Sequence, residues 1–328
     1  MRRVSRIFFS VLPFLICASL LYAALFIKPS VSGASIKLAP IERRDKFFGI
    51  EVPAKGSVWA AGTNGKVILS QDGGKNWTVQ VSPVKQHLQD IAAWDEQRAV
   101  AVGNEGVVIL TRDGGKTWQE VKAPRSEVAN KLIKVIVVPG GQAWTVGAMG
   151  AVLYSKDFGS TWERRIKEED VAWNGITFVD AKVAWVVGEF GRMLRTTDGG
   201  VTWKPRDSPT KRSLNAVAFR DAMHGVAVGL EGTVLKTDNG GVSWSQVQTV
   251  TGEHLFDVVW DGTAWISIGT KGTVLRGEKN GTIWRYSRLS EYDLSWHTKG
   301  IRKFGALYMA GSTIGVLRDG KWHQFKAT

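Results

Sequence analysis

Apolar residues in this chain fall in short runs, and the runs recur in the same order along most of its length. The blocks VWAAGTNGKVILS, AVAVGNEGVVILT, AWTVGAMGAVLYS, AWVVGEFGRMLRT, GVAVGLEGTVLKT and AWISIGTKGTVLRG each place two apolar runs around a Gly-x-x-Gly turn. Glycines supply the positive φ that tight turns need, so each block reads as a β-hairpin. A further run precedes most blocks (LQDIAAW, LIKVIVV, WNGITFV, LNAVAF, LFDVVW), and a polar phrase ending in tryptophan follows. Runs this short, rich in Val, Ile, Trp and Thr, are strands rather than helices. One repeat therefore predicts four strands, A to D, joined by turns.

The polar phrase is Ser/Thr-x-Asp-x-Gly-x-Thr-Trp. It ends at Trp77, Trp118, Trp162, Trp203 and Trp244, with weaker copies at Trp284 and Trp322, in steps of 41, 44, 41, 41, 40 and 38 residues. A period of about 40–45 residues is that of a four-stranded repeat unit. Seven units over residues 45–328 predict an all-β, seven-bladed β-propeller with four-stranded blades. In such a ring most strands are covered on both sides, which accounts for apolar residues on both parities. The phrase falls in the C–D turn. There Asp72, Asp113, Asp157, Asp198 and Asn239 are expected to accept backbone hydrogen bonds within their own loop, a structural role. A calcium loop needs more oxygen ligands than this spacing supplies, so no metal or other cofactor is expected. The seventh repeat is the least regular, and residues 36–41 (IKLAPI) are placed as an outer strand that closes it.

Residues 7–27 are almost uniformly apolar and follow Arg2, Arg3 and Arg6. About 20 apolar residues suffice to span a bilayer, and the arginines favour a cytoplasmic amino terminus. The expected organisation is an N-terminal transmembrane helix within residues 1–30, acting as signal anchor. A tether over 31–44 and the propeller over 45–328 follow it. Cleavage near residues 32–34 is the alternative, giving a periplasmic protein. Cys17 is the only cysteine, follows Ile16 rather than a small residue, and is not expected to be lipidated; the propeller has no cysteine for a disulfide.

The phrase is the Asp box, or bacterial neuraminidase repeat. The fuller unit AWVVGEFGRMLRTTDGGVTW, residues 184–203, resembles the photosystem II stability/assembly factor family, and the chain is placed as a non-photosynthetic bacterial relative. That resemblance implies an extracytoplasmic, non-enzymatic assembly or accessory factor. In the family an arginine-rich patch contacts a membrane-protein client, but no residue here is matched to that patch.

The formal charge is +13, and removing residues 1–30 takes away four bases and no acid, leaving +9. Attraction to an acidic surface follows. Placed outside the cytoplasm, the domain has no nucleic acid to meet. Aligning the repeats puts Leu69, Leu110, Tyr154, Arg195, Lys236, Arg276 and Arg318 at one strand-C position, so the base-bearing copies cluster in the later blades. With Arg192, Lys211 and Arg212 they make a candidate partner-binding sector, for a membrane protein or its acidic loops, such as an exporter or an assembling complex. The plainer alternative is that these bases pair with local acids. His87, His254 and His297 fall near the start of strand A and are expected around the channel mouth. Catalytic residues are not expected: the sialidase elements and Ser-His-Asp patterns are missing from the sequence. A glycan- or lipid-binding propeller and, less favoured, a sialidase-like hydrolase are the alternatives.

Overall fold

The computed structural model describes residues 2–26 and 39–326. It divides into two units, Met1–Leu38 and Ala39–Thr328. In the first, α1 spans Arg2–Phe26 with Pro13 inside it. Its side chains from Pro13 to Tyr22 are exposed. Among the described residues no helix is long and apolar enough to cross a membrane.

The second unit is built of seven four-stranded antiparallel sheets, each drawn from consecutive strands. They occupy residues 47–80, 88–121, 132–164, 173–206, 214–247, 255–288 and 297–324. These are the seven predicted blades. Strand B is buried along its whole length in blades 1, 2, 4, 5, 6 and 7, as expected for a strand covered on both faces.

The innermost strands, A, run Phe47–Ala54, Leu88–Ala93, Leu132–Val138, Trp173–Phe178, Leu214–Phe219, Leu255–Trp260 and His297–Lys303. Each carries a register shift across its second residue where it pairs with strand B. A bulge of this kind bends the strand and re-aims the side chains beside it. Here it turns the second residue of every strand A to the central channel, together with Asp90, Lys134, Asp257 and Lys299 at the third position.

The blades are joined by interlocking rings. Trp144 of blade 3 is fully buried, and a Cβ on Gly200 in the next blade's C–D turn would lie 2.1 Å from its ring. Gly200 also has φ +85°, so this turn requires glycine twice over. Trp59 under Gly115 and Trp185 under Gly241 repeat the arrangement. The box tryptophans Trp118, Trp203 and Trp244 then meet Trp59, Trp144 and Trp185 edge-on, with centroids 5.5–5.9 Å apart.

The ring closes without strand exchange among the described residues. Phe47, Ile50, Val58 and Trp77 of blade 1 pack with Tyr308, Ala310, Val316 and Phe325 at the other end of the chain. The expected closing strand at residues 36–41 is not found: residues 36–38 lie outside the described residues, and 39–41 are not a strand. Ile41 instead packs against the closing cluster.

The seventh Asp box is corrected too. Arg318 pairs with Lys321 across a two-residue turn, with Asp319 at φ 50° and Gly320 at φ 74°. Asp-Gly with both φ positive is the tight hairpin turn favoured between twisted strands. Too few residues remain to fold back as a box.

Candidate functional site

In five blades the Asp box is a closed hydrogen-bond ring. In blade 4 the buried Thr196 hydroxyl donates to Asp198 Oδ1 (2.7 Å) and accepts from the Gly200 N–H (2.9 Å). Asp198 Oδ1 accepts from the Thr202 N–H, and Oδ2 from its hydroxyl (2.6 Å). Asp72, Asp113 and Asp157 repeat the pattern. Asn239 reproduces it with its amide oxygen toward Thr237 and its Nδ2 donating to Ser243. Hydrogen bonds from Asn76, Thr117 and Thr202 hold the carboxyls of Asp72, Asp113 and Asp198 at about 2. The carboxylates lie at the surface, while the Ser or Thr hydroxyl beneath each is buried. Both carboxylate oxygens of Asp198 accept from their own loop, which suits a structural staple.

The channel holds two buried ion pairs, and sequence reasoning missed them. The third residues of the seven A strands are Gly49, Asp90, Lys134, Gly175, Ala216, Asp257 and Lys299. Lys299 Nζ lies 3.0 Å from Asp90 Oδ2, and Lys134 Nζ 3.2 Å from Asp257 Oδ2. Both pairs join blades that are not neighbours, so they bridge the channel. Each carboxylate also accepts a backbone N–H from the following blade, Val135 for Asp90 and Gly300 for Asp257. Burial lowers the Lys134 ammonium despite Asp257. Burial acts the same way on Lys299, but Asp90, Asp257 and Glu51 together raise it. Burial pushes the Glu51 carboxyl up, against the pull of Lys299. The bridges lie between a small mouth of about 180 Å³ on the B–C turn side and a wider vestibule of about 790 Å³ on the A–B turn side. The signal was legible: the A strands LQDIAAW and LFDVVW carry Asp, and LIKVIVV carries Lys, at one aligned position.

The candidate basic residues do not form one cluster. Arg192, Lys211 and Arg212 sit at the B–C and D–A turns; Arg195, Lys236, Arg276 and Arg318 sit toward the opposite, Asp-box end of strand C. Arg192 pairs with Glu169 (2.6 Å) and lies over the Trp173 ring, and Arg212 pairs with Glu231 (2.7 Å). Lys236 pairs with Asp238 (2.8 Å) and Arg276 with Asp261 (3.0 Å). Arg195 lies over the Trp185 ring, 5.7 Å from its centroid. Arg318 is not in register with the others. Arg195 faces Trp185 of strand B, whereas the residue facing Tyr308, its blade-7 counterpart, is Val316. Lys211 and Arg318 are exposed and make no ion pair among the described residues.

The histidines do not surround the channel mouth. His87 and His254 accept backbone N–H groups of Asn64 and Glu231, capping the B–C turn of the preceding blade. His297 is buried against Trp322, and its Nε2 lies 3.2 Å from Thr313 Oγ1. Burial holds it at about 4, against a smaller opposing pull from Asp293. Among the described residues no group of His, Cys, Asp and Glu is arranged to hold a metal ion.

Seven blades around an ion-bridged channel, five of them stapled by Asp boxes, define an Asp-box β-propeller. Residues 77–172 match the family model of the Photosynthesis system II assembly factor YCF48. Among solved structures, YCF48 from Cyanidioschyzon merolae is similar at 18% identity and a TM-score of 0.67, over 83% of this chain and 94% of that one. A YCF48 bound to D1 peptide is similar at 16% identity and a TM-score of 0.67, over 81% and 90%. A computationally designed protein, Ika8, shares the fold at 12% identity and a TM-score of 0.61, over 86% of both. No curated protein matches the chain. The resemblance drawn from the repeats therefore holds: this is a YCF48-like Asp-box propeller.

Proposed function

We propose that this chain is a protein-binding assembly or accessory factor without catalytic activity, tethered by its N-terminal segment to the inner membrane with the propeller on the periplasmic side. The observation that carries the reading is the YCF48-type repeat over residues 77–172, together with a similar YCF48 that is bound to D1 peptide. The tether rests on the sequence alone, on the apolar run at 7–27 behind three arginines. The partner is a membrane protein that offers an acidic loop. The paired bases Arg192, Arg212, Lys236 and Arg276 shape the surface, and Lys211 and Arg318 carry free charge to it.

The test is copurification of the tagged full chain from solubilised membranes. A membrane-protein partner should be recovered, with capture weakening as salt rises, because screening lengths fall from about 8 Å at physiological ionic strength to about 3 Å at 1 M. Lys211→Glu with Arg318→Glu should reduce capture, while Lys75→Glu with Lys116→Glu in blades 1 and 2 should not. Equal loss from both pairs would reduce the effect to net charge. Recovery of lipid or glycan without protein would favour the non-catalytic lipid- or glycan-binding alternative.

A further inference from the structure

In six seams between blades an aromatic ring lies within 4 Å of the Cβ position of the Asp-box glycine, from the preceding blade in five of them and, for Gly281, from Trp265 of the same blade. The ring stands 2.4 Å from the Cβ position of Gly115 (Trp59), 3.6 Å for Gly159 (Trp94) and 2.1 Å for Gly200 (Trp144). The distances are 2.0 Å for Gly241 (Trp185), 3.7 Å for Gly281 (Trp265) and 2.3 Å for Gly74 (Phe325). The seam between blades 6 and 7 is the exception among the described residues. Gly320 lies in the two-residue hairpin turn that replaces the box, and nothing lies within 4 Å of its Cβ position.

Three local changes open that seam. In strand B of blade 6 (Trp265–Gly269) the tryptophan comes one residue early. Ile266 therefore faces Arg276, in the place that Trp185 takes opposite Arg195. The Trp265 ring packs instead with Val226 and Val228 of blade 5. The sixth residue of strand A, which is Phe178, Phe219 and Trp260 in blades 4 to 6, is Arg302 in blade 7. The seventh Asp box is cut to a two-residue hairpin, and its tryptophan, Trp322, packs against the Ile266, Val274 and Leu307 cluster and edge-on to His297. What remains is a groove of about 440 Å³ with Ile266, Val274, Leu307 and Leu317 along it and Arg276 and Arg302 at its sides.

The arginines say what the groove lacks. Arg195 lies over the Trp185 ring, and Arg276 holds the same strand-C position with no ring beneath it. Arg302 is half-buried and makes no ion pair among the described residues. A slot of mixed lining, with Asp261 and Asp319 beside the apolar side chains, a ring-less guanidinium and an unpaired cation, complements a ring and a carboxylate together.

We propose that the seam between blades 6 and 7 receives an extended segment of a partner protein that carries an aromatic side chain beside a carboxylate. The partner's ring takes the place that a tryptophan or phenylalanine of this chain takes in the other seams, under Arg276. Its neighbouring carboxylate pairs with Arg302. The inference rests on the protein-binding reading and names the chemistry of the bound segment.

Fluorescein-labelled acetyl-Asp-Asp-Trp-Asp-Asp-amide and its analogue with alanine in place of the tryptophan, titrated against the full chain in detergent, test it. The tryptophan peptide should bind at least about tenfold more tightly than the analogue of equal charge. Ile266→Trp supplies the missing ring in cis and should erase that difference. Arg302→Glu, at the groove's edge, should weaken the tryptophan peptide by about tenfold and serves alone if Ile266→Trp misfolds. Equal affinity for the two peptides, no binding of either, or unchanged binding by Arg302→Glu overturns the proposal. Copurification with Arg302→Glu separates this from the broader reading. A membrane-protein partner retained as by wild type overturns the groove and leaves protein binding standing. No partner with either protein overturns protein binding, while the peptides still decide the groove.

Discussion

At the scale of single residues, the Asp box is held by its hydroxyl more than by its carboxylate. The Asp198 carboxylate sits at the surface, and Thr196, 1% exposed, is the buried member of the box. Thr196→Val keeps the shape and removes the oxygen, leaving the buried Gly200 N–H without its acceptor. It should cost roughly 1–3 kcal/mol in denaturant unfolding. Asp198→Asn should cost less, since Asn239 performs the same task in blade 5. His297 makes a pH-dependent contribution. Its folded value of about 4 lies below the ordinary 6.5, so between these the unfolded chain binds more protons. Stability should therefore be full above pH about 6.5 and fall as pH drops toward 4, by roughly 3 kcal/mol from this one group. His297→Gln should flatten that part of a stability–pH curve; an unchanged slope would assign it to other groups.

At the scale of elements, strand order, hairpins and turn chemistry were legible because each is written within about 40 residues of sequence. Register was not. Arg318 aligns with Arg195 when the phrase RDGKW is matched to a full Asp box, yet the tight Asp319–Gly320 turn removes residues from the box and moves Arg318 two places along strand C. Trp265 illustrates the same sensitivity. Coming one residue early in its strand, it points to the opposite face, because side chains alternate along a strand. The bulge at the second residue of every strand A was equally hidden, since it depends on how strands A and B pair. That bulge decides which residues see the channel. Aligned strand-A sequences show Asp90, Lys134, Asp257 and Lys299 at one position, but only the pairing shows that they meet.

At the scale of the whole molecule, the channel bridges tie blade 2 to blade 7 and blade 3 to blade 6, across the ring rather than along it. Asp257→Ala would strand the buried Lys134 ammonium and the Gly300 N–H together, and should lower stability by roughly 3–5 kcal/mol. Lys134→Met should cost clearly less. It removes a charge that burial already disfavours, and leaves Asp257 with the Val258 and Gly300 N–H groups. Thermal unfolding of the two variants checks the order, and equal losses would mean that the pair acts only as a unit. Closure is likewise a property of the assembled ring. Phe325 can fill the space beside Gly74 only because the last strand returns to the first blade, some 250 residues away in the chain. The blade count, the strand order, the Asp-box staple and the YCF48-like resemblance were readable along the chain, because local spacing and turn chemistry encode them. Which charges bridge the channel, which bases are already paired and how the described residues close the ring come only from the folded structure. Those depend on distances between residues that the chain keeps far apart and only the closed circle brings together.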